Sequence, residues 1–280
     1  MVDATDRQGS TAGDADVAVV IAGGGPTGMM LAAELSLAGV DVHIVERRTT
    51  QELDGARAGG LLARSIEVLD QRGIVDRFLD AGQPGPMFGF GQTMFSADDL
   101  PTRHSYVLAL WQSRFEQILA ARVAELGVTT RRGCEVIGFV EEADGVDVRL
   151  SDGTTLRAQY LVGCDGGRSL VRRVAGIEFA GWDATTCWIH AEVEMTDVPE
   201  FGLRGGGGIG PAEGGRVGVT LIEPDADRSD EPTLEDLRAA LIRVDGTDHG
   251  AHSPRFIARF TDMTRQAVRY RDRRVLLAGD

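Results

Sequence analysis

The sequence predicts an α/β fold: a mainly parallel sheet flanked by helices, interrupted by an inserted α+β segment built on a mainly antiparallel sheet. Three observations predict it. The chain opens with an apolar strand, a glycine turn, a helix and a second strand. Its middle alternates apolar and polar residues with period two, as antiparallel strands do. A short apolar strand, Arg274 to Ala278, returns just before the last residues.

The elements follow in order. Met1 to Ala15 are small and polar and read as a disordered tail, so that residues 1–16 stand apart. Val17 to Ile21 is a strand. After the glycine turn, a helix runs from about Thr27 to Ala38, with Leu31, Leu35 and Ala38 on one face and Gly39 as its stop. Val42 to Val45 is the second strand, and a β-α-β unit makes the two strands parallel. A further helix carries Leu62, Ile66 and Leu69 on one face and stops at Gly73. Gly82 to Pro101 reads as loops or short strands. Ser113-x-x-Glu116 is a capping-box pattern opening a helix with Phe115, Ile118, Leu119, Arg122 and Leu126 along one side.

Val136 to Val140, Val146 to Leu150 and Thr155 to Arg157 read as antiparallel strands, with Asp152-Gly153 as a tight turn, and Tyr160 to Gly163 as another buried strand. The composition changes after about Glu178. His190 to Met195, Val217 to Ile222 and Phe256 to Phe260 read as strands, and Leu234, Leu237 and Leu241 mark a helix. The expected domains are 17–178 plus 264–280, discontinuous, and 179–263, inserted.

Bulk composition excludes several classes. Hydrophobic residues are 42% of 280, enough for a real core. The 43 acids against 29 bases give a net charge of -14, which disfavours nucleic acid or an anionic membrane as partner. No apolar run reaches membrane-spanning length and no secretory signal is visible, so a cytoplasmic location is expected. Cys134, Cys164 and Cys187 read as free thiols. His249 and His252 lie in a polar loop without metal-ligand spacing.

Gly23-Gly24-Gly25-Pro26-Thr27-Gly28 matches G-x-G-x-x-G between a strand and a helix, the context that gives the pattern meaning. Gly23 permits the turn, Gly25 lets the backbone approach a pyrophosphate, and Gly28 lets the helix pack close. Unpaired N–H groups at a helix start suit a diphosphate. Glu46 ends the second strand about 20 residues on, as expected of an acid binding an adenosine ribose. Its charge repels a 2′-phosphate and favours FAD or NAD over NADP at this site, although Arg47 or Arg48 could neutralise a phosphate.

Three more stretches carry a resemblance: Gly163-Cys164-Asp165-Gly166-Gly167-Arg168-Ser169 followed by Val171-Arg172; Ala56-Arg57-Ala58-Gly59; and Thr264-Arg265-Gln266-Ala267 through Tyr270 to Ala278-Gly279-Asp280. With the fingerprint, they resemble the class A flavoprotein monooxygenases, the p-hydroxybenzoate hydroxylase-like family, and within it the branch acting on aromatic polyketides and rifamycin-type compounds. The resemblance covers nearly the whole chain after Val17. It implies a Rossmann-like FAD-binding domain of the GR2 type with FAD as cofactor and NADH or NADPH as co-substrate. It also implies O₂ and a small aromatic molecule, phenolic or polyketide-like, as substrates. In the family the reduced flavin forms a C4a-hydroperoxide that transfers an electrophilic OH to the ring.

Carried onto this sequence, the resemblance implies that Gly23, Gly25, Pro26, Thr27 and Gly28 hold the FAD diphosphate. Glu46 would bind the ribose, with Arg47 beside the adenine and Arg57 near the pyrophosphate. Gln112 would contact the ribityl chain and Val136 the adenine. Asp165 would serve FAD and NAD(P)H, and Asp280 the ribityl and diphosphate. The family continues past its Gly-Asp pair with a loop, a helix and often a further domain, so the chain is expected to be truncated there. Phe179, Trp182, Trp188 and Phe256 are candidates for the pocket or the core, with core favoured. No triad, metal site or base for a phenol proton is visible. The rival readings are a flavin oxidoreductase of another reaction type and a non-catalytic FAD-binding fragment.

Overall fold

The computed structural model describes residues 16–53, 58–90, 93–224 and 230–279. The first elements are β1 (Val17–Ala22), α1 (Pro26–Leu37), β2 (Val42–Glu46), β3 (Gly60–Leu61), α2 (Ala63–Gln71) and α3 (Val75–Leu79). Then come β4 (Gln83–Gly85), β5 (Met87–Phe90), β6 (Thr93–Ser96), β7 (Val107–Ala109), α4 (Gln112–Glu125) and β8 (Thr129–Arg132). A meander of β9 (Val136–Glu141), β10 (Val146–Leu150) and β11 (Thr155–Gly163) leads to α5 (Leu170–Val174). The next strands are β12 (Phe179–Trp182), β13 (Cys187–Glu194), β14 (Gly202–Arg204), β15 (Gly207–Pro211) and β16 (Val217–Glu223). The chain continues with α6 (Leu234–Asp245), β17 (His252–Thr261), β18 (Thr264–Ala267), β19 (Arg271–Asp272) and β20 (Val275–Leu277).

Contacts divide the chain into two units, residues 1–51, 119–179 and 267–280, and residues 52–118 and 180–266. The sequence reading grouped 52–118 with the first unit. By contacts that stretch groups with the second unit, and its strands β3, β7 and β4 form a small sheet of their own.

The first unit is a sheet in the order β19-β20-β11-β1-β2-β8. The neighbours from β20 through β8 are parallel, and the β9-β10-β11 meander is antiparallel. Val20, Val146, Val148, Ala158, Leu161, Val171 and Val275 are fully buried in one cluster. The two strands read at 155–157 and 160–163 are one strand, β11, antiparallel to β10 at its start and parallel to β1 from Ala158 to Gly163. The edge strand β8 has the polar sequence Thr-Thr-Arg-Arg, which carries no apolar alternation to predict it. Helix α1 buries Gly28, Met29, Ala32 and Ala33 rather than the expected Leu31 and Leu35. Small residues on that face let the helix lie close to the sheet, and a helix apolar nearly all round gives no periodicity to choose the face.

The second unit is built on an antiparallel sheet in the order β14-β15-β16-β13-β17. Ile189, Ala191 and Val193 of β13 and Val217, Val219 and Leu221 of β16 face Leu237, Ala240 and Leu241 of α6. A capping box of Thr233 and Asp236 starts α6, and Gly246 at φ 80° ends it. At α4 the sequence pattern misleads. The helix begins at Gln112, and the Ser113 hydroxyl donates to Glu213 Oε2 at 3.2 Å instead of capping it. Among the described residues no helix is long and apolar enough to cross a membrane.

Candidate functional site

The turn between β1 and α1 is fixed by sterics. Gly23 adopts φ +107°, and a Cβ there would lie 2.4 Å from the Cys164 carbonyl oxygen. A Cβ on Gly28 would lie 2.0 Å from the Gly23 carbonyl oxygen and 3.2 Å from Ile21. Both must be glycine for the turn to close. Gly25 differs: its backbone is ordinary (φ -77°, ψ -175°) and a Cβ there meets nothing within 4 Å. Space therefore lies over Gly25, and no side chain caps α1. With Pro26 at the helix start, the N–H groups of Thr27 and Gly28 have no intrahelical acceptor, which is a site for an anion.

Glu46 stands at the end of β2, 6% exposed. Its Oε2 accepts the Gly24 N–H at 2.6 Å. Its Oε1 accepts the Arg48 N–H at 2.8 Å and Arg48 Nε at 3.1 Å. Burial pushes the carboxyl up, but the Arg48 and Gly24 backbone N–H groups and the Arg48 guanidinium outweigh it and hold it below its ordinary value. A carboxylate has about four lone-pair sites, so these three bonds leave room for a hydroxyl. Arg48 also donates to the Gly24 carbonyl at 3.2 Å. Arg47, the expected neighbour of the adenine, is exposed. The sequence reading weighed Arg48 only as a cation that could neutralise a phosphate; its contact with Glu46 and Gly24 depends on the spatial approach of residues 24 and 46.

Cys164 and Asp165 sit where β11 ends beside the turn. Asp165 Oδ2 accepts the N–H of Leu170 at 2.7 Å and of Val171 at 3.1 Å, closing the loop onto α5. Its Oδ1 is buried with no hydrogen-bond partner among the described residues, a group that a bound polar ligand can satisfy. Burial, and then the Asp165 charge, push the Cys164 thiol up to about 12. Gly279, after β20, brings a virtual Cβ within 3.7 Å of Thr27 Oγ1, so the chain returns to the start of α1.

The remaining expected residues are placed as follows. Val136 is 6% exposed and belongs to the core cluster. Beside it, Cys134 N–H donates to the Glu46 carbonyl and Gly133 N–H to the Arg48 carbonyl, so this segment runs along the end of β2. Gln112 belongs to the second unit, where its Nε2 donates to the buried Glu116 at 2.8 Å. Arg57 and Asp280 lie outside the described residues.

The second unit holds a cavity of about 1100 Å³. One wall is the face of the sheet turned away from α6, with Trp188, His190 and Glu192 of β13 and Gly218, Thr220 and Ile222 of β16. The β14–β15 hairpin continues the same sheet, and there Gly208 and Gly210 line the cavity with bare backbone. Of the four aromatics weighed above, none is fully buried: Trp188 lines the cavity, Phe179 lies under the Arg172 guanidinium, Phe256 tilts against His190, and Trp182 is 75% exposed. Trp188 and Phe256 are on the five-stranded sheet, on the face turned away from α6, whereas Phe179 and Trp182 are on β12, which pairs with β18 in a separate two-stranded sheet.

Residues 16–280 match a protein family described as "FAD binding domain". The chain belongs to this FAD-binding domain family. An uncapped α1, open space over Gly25, an acid with a remaining acceptor site at the end of β2 and an orphaned Asp165 oxygen all fit FAD. This FAD-binding domain is 44% identical over 280 residues to rifampicin monooxygenase of Streptomyces venezuelae, covering 94% of this chain and 58% of that protein. It superposes on the OxyS anhydrotetracycline hydroxylase from Streptomyces rimosus with TM-score 0.86 at 38% identity, covering 94% of this chain and 56% of that one. The Diels-Alderase PyrE3 of pyrroindomycin biosynthesis gives TM-score 0.86 at 35% identity, covering 95% and 59%. The chain thus spans less than two thirds of each.

Proposed function

We propose that this chain is the FAD-binding and substrate-binding part of an aromatic monooxygenase that takes NADH or NADPH, O₂ and a multi-ring phenol of the polyketide or rifamycin type. Bound FAD, once reduced, would supply an electrophilic oxygen from O₂. The protein supplies the grip. The backbone at Gly23, Gly25, Pro26, Thr27 and Gly28 receives the diphosphate, Glu46 the ribose hydroxyls, and Asp165 a polar atom of the cofactor at its vacant Oδ1. Arg48 positions Glu46, while Arg47 and the backbone at Val136 flank the adenine end. Gln112, Arg57 and Asp280 complete the set.

The observation that carries the substrate class is the cavity. Its size, about 1100 Å³, exceeds what a single ring needs and reaches the upper end of pockets for drug-sized ligands. Gly208 and Gly210, paired with Thr220 and Gly218 in the same sheet, add bare backbone to the lining, which suits the flat face of fused rings. The relatives named for rifampicin and anhydrotetracycline support the same class.

A second reading, FAD-binding without oxygenation, is favoured by the similar structure described as a Diels-Alderase. One experiment separates them. The full-length protein is incubated with FAD, NADPH or NADH, a hydroxylated polycyclic substrate and isotopically labelled O₂. Monooxygenation gives a product heavier by one labelled oxygen with matching reductant consumption. An isomeric product without label, or bound flavin with no turnover, overturns the proposal.

A further inference from the structure

We propose that Glu192 sets the specificity of the cavity: its carboxylate accepts a hydrogen bond from a hydroxyl of a neutral polycyclic substrate and repels aromatic acids. This rests on reading the cavity as the substrate site. The sequence gives no sign of it, because the setting of Glu192 is built across strands.

The floor of the cavity changes character along β13. At one end Trp188 stands opposite Ile222 of β16, and Phe260 of β17 stacks on its indole at 5.4 Å and 9°. Glu192 stands on the same face toward the other end of β13, about 13 Å away at the ordinary rise of a strand. Opposite Glu192 on β16 is Gly218, and next to that on β15 is Gly210. A Cβ on Gly210 would meet nothing within 4 Å. The two glycines leave open floor beside the carboxylate, where a flat ring can lie.

Glu192 is 3% exposed, yet its side chain is sparsely bonded. Among the described residues it accepts one hydrogen bond, from Arg255 Nη1 to Oε2 at 3.4 Å. That is long for a charge-assisted bond, and Arg255 Nη1 is shared with Glu213 at 3.2 Å. A carboxylate has about four lone-pair sites, so most of them stay open to a donor. A buried acceptor short of donors gains most from a ligand that supplies one.

Charge decides which ligand fits. Among the described lining residues Glu192 is the one carboxylate and Arg204 of β14 the one guanidinium or ammonium. Arg204 is already engaged: its Nε donates to Asp245 at 2.7 Å and its Nη2 to the Glu200 carbonyl at 2.5 Å. Arg255 is not among those lining residues. His190, between Trp188 and Glu192, is engaged with the Val219 carbonyl and the Thr220 hydroxyl. An aromatic acid would place a second negative charge beside Glu192 with no unengaged guanidinium in that lining to meet it. A neutral ring system with a hydroxyl brings the donor that Glu192 lacks. No covalent bond is made or broken, and the hydroxyl keeps its proton.

The test uses the full-length protein with FAD and three anthraquinones. Danthron carries two hydroxyls, rhein is the same dihydroxy ring system with a carboxylic acid, and anthraquinone has neither group. Dissociation constants are measured by equilibrium dialysis at neutral pH. The wild-type protein should bind danthron at least about tenfold more tightly than rhein or anthraquinone. Glu192→Gln should weaken danthron about tenfold and tighten rhein, so that the preference narrows or reverses. A residue that only supports the fold would move both ligands the same way. Equal binding of danthron and rhein by the wild-type protein, or a shift of both in one direction in Glu192→Gln, overturns the role of Glu192 while the cavity reading stands. The wild-type preference is a test in itself and needs no folded variant. Gly210→Leu, which fills the open floor, should weaken danthron. If the wild-type protein, folded by circular dichroism, binds none of the three, or Gly210→Leu binds danthron as tightly as the parent, the cavity reading fails and this inference fails with it.

Discussion

The backbone N–H of Gly24 donates to Oε2 of Glu46 at 2.6 Å, across 22 residues of sequence. The bond joins the glycine turn to the end of β2. The two ends of the proposed adenosine diphosphate grip are therefore one unit: the acid that would meet the ribose is positioned by the turn that would meet the phosphates. Arg48 completes it by holding Glu46 from the other side and bonding the Gly24 carbonyl.

Arg48→Ala should lower stability by about 1–3 kcal/mol, because a nearly buried carboxylate loses a charged partner, and should weaken FAD binding about tenfold through loss of Glu46 positioning. Arg47→Ala, at an exposed side chain, should stay within about 0.5 kcal/mol of the parent. Urea denaturation and flavin titration of both variants check this. Equal effects of the two would remove Arg48 from the account.

The sign of the pH dependence follows from Glu46. Its folded carboxyl lies below the ordinary value of 4.5, so folding favours the ionised form. Its contribution to stability is full above that ordinary value and is lost as pH falls through the lowered folded value. Glu46→Gln should therefore narrow the stability gap between near-neutral and acidic solution, seen as a flatter melting-temperature profile below about pH 4.5. A profile as steep as that of the parent would place the acid sensitivity elsewhere.

Cys164 should be inert. A thiol pushed up to about 12 is almost wholly protonated at pH 8, and Cys134 and Cys187 are buried. A disulfide reagent should find no fast thiol in the folded chain and all three in denaturant. Asp165→Asn removes the charge that adds to the effect of burial and should speed reaction at Cys164. Unchanged reactivity in that variant would mean that burial alone sets it.

Much of this was legible in the sequence where sterics dictate residue identity. Gly23 and Gly28 are glycines because a Cβ would strike a carbonyl, and a fingerprint records that directly. The parallel order of β1 and β2 followed from the short crossover, and the β9-β10-β11 meander from period-two alternation. The fold class and the family membership agree with the sequence reading. What escaped depends on partners distant in sequence. The polar edge strand β8 is specified by its pairing with β2, not by its own pattern. The buried face of α1 is chosen by close packing of its small residues within a mostly apolar helix. Ser113 looks like a cap but bonds Glu213, a hundred residues away. Arg48 gains its role only when the glycine turn and the end of β2 come together.

The most direct test of the grip is a flavin-fluorescence titration of the wild-type chain and Gly25→Ala. The backbone at Gly25 accepts alanine without strain and a Cβ there meets open space, so the variant should keep or gain about 0.4–1 kcal/mol of stability. That methyl occupies the place assigned to the diphosphate. The account predicts FAD binding by the wild-type chain and an affinity at least about tenfold weaker in the variant. A folded wild-type chain that leaves FAD free, or a Gly25→Ala variant that binds it as tightly as the parent, would contradict it.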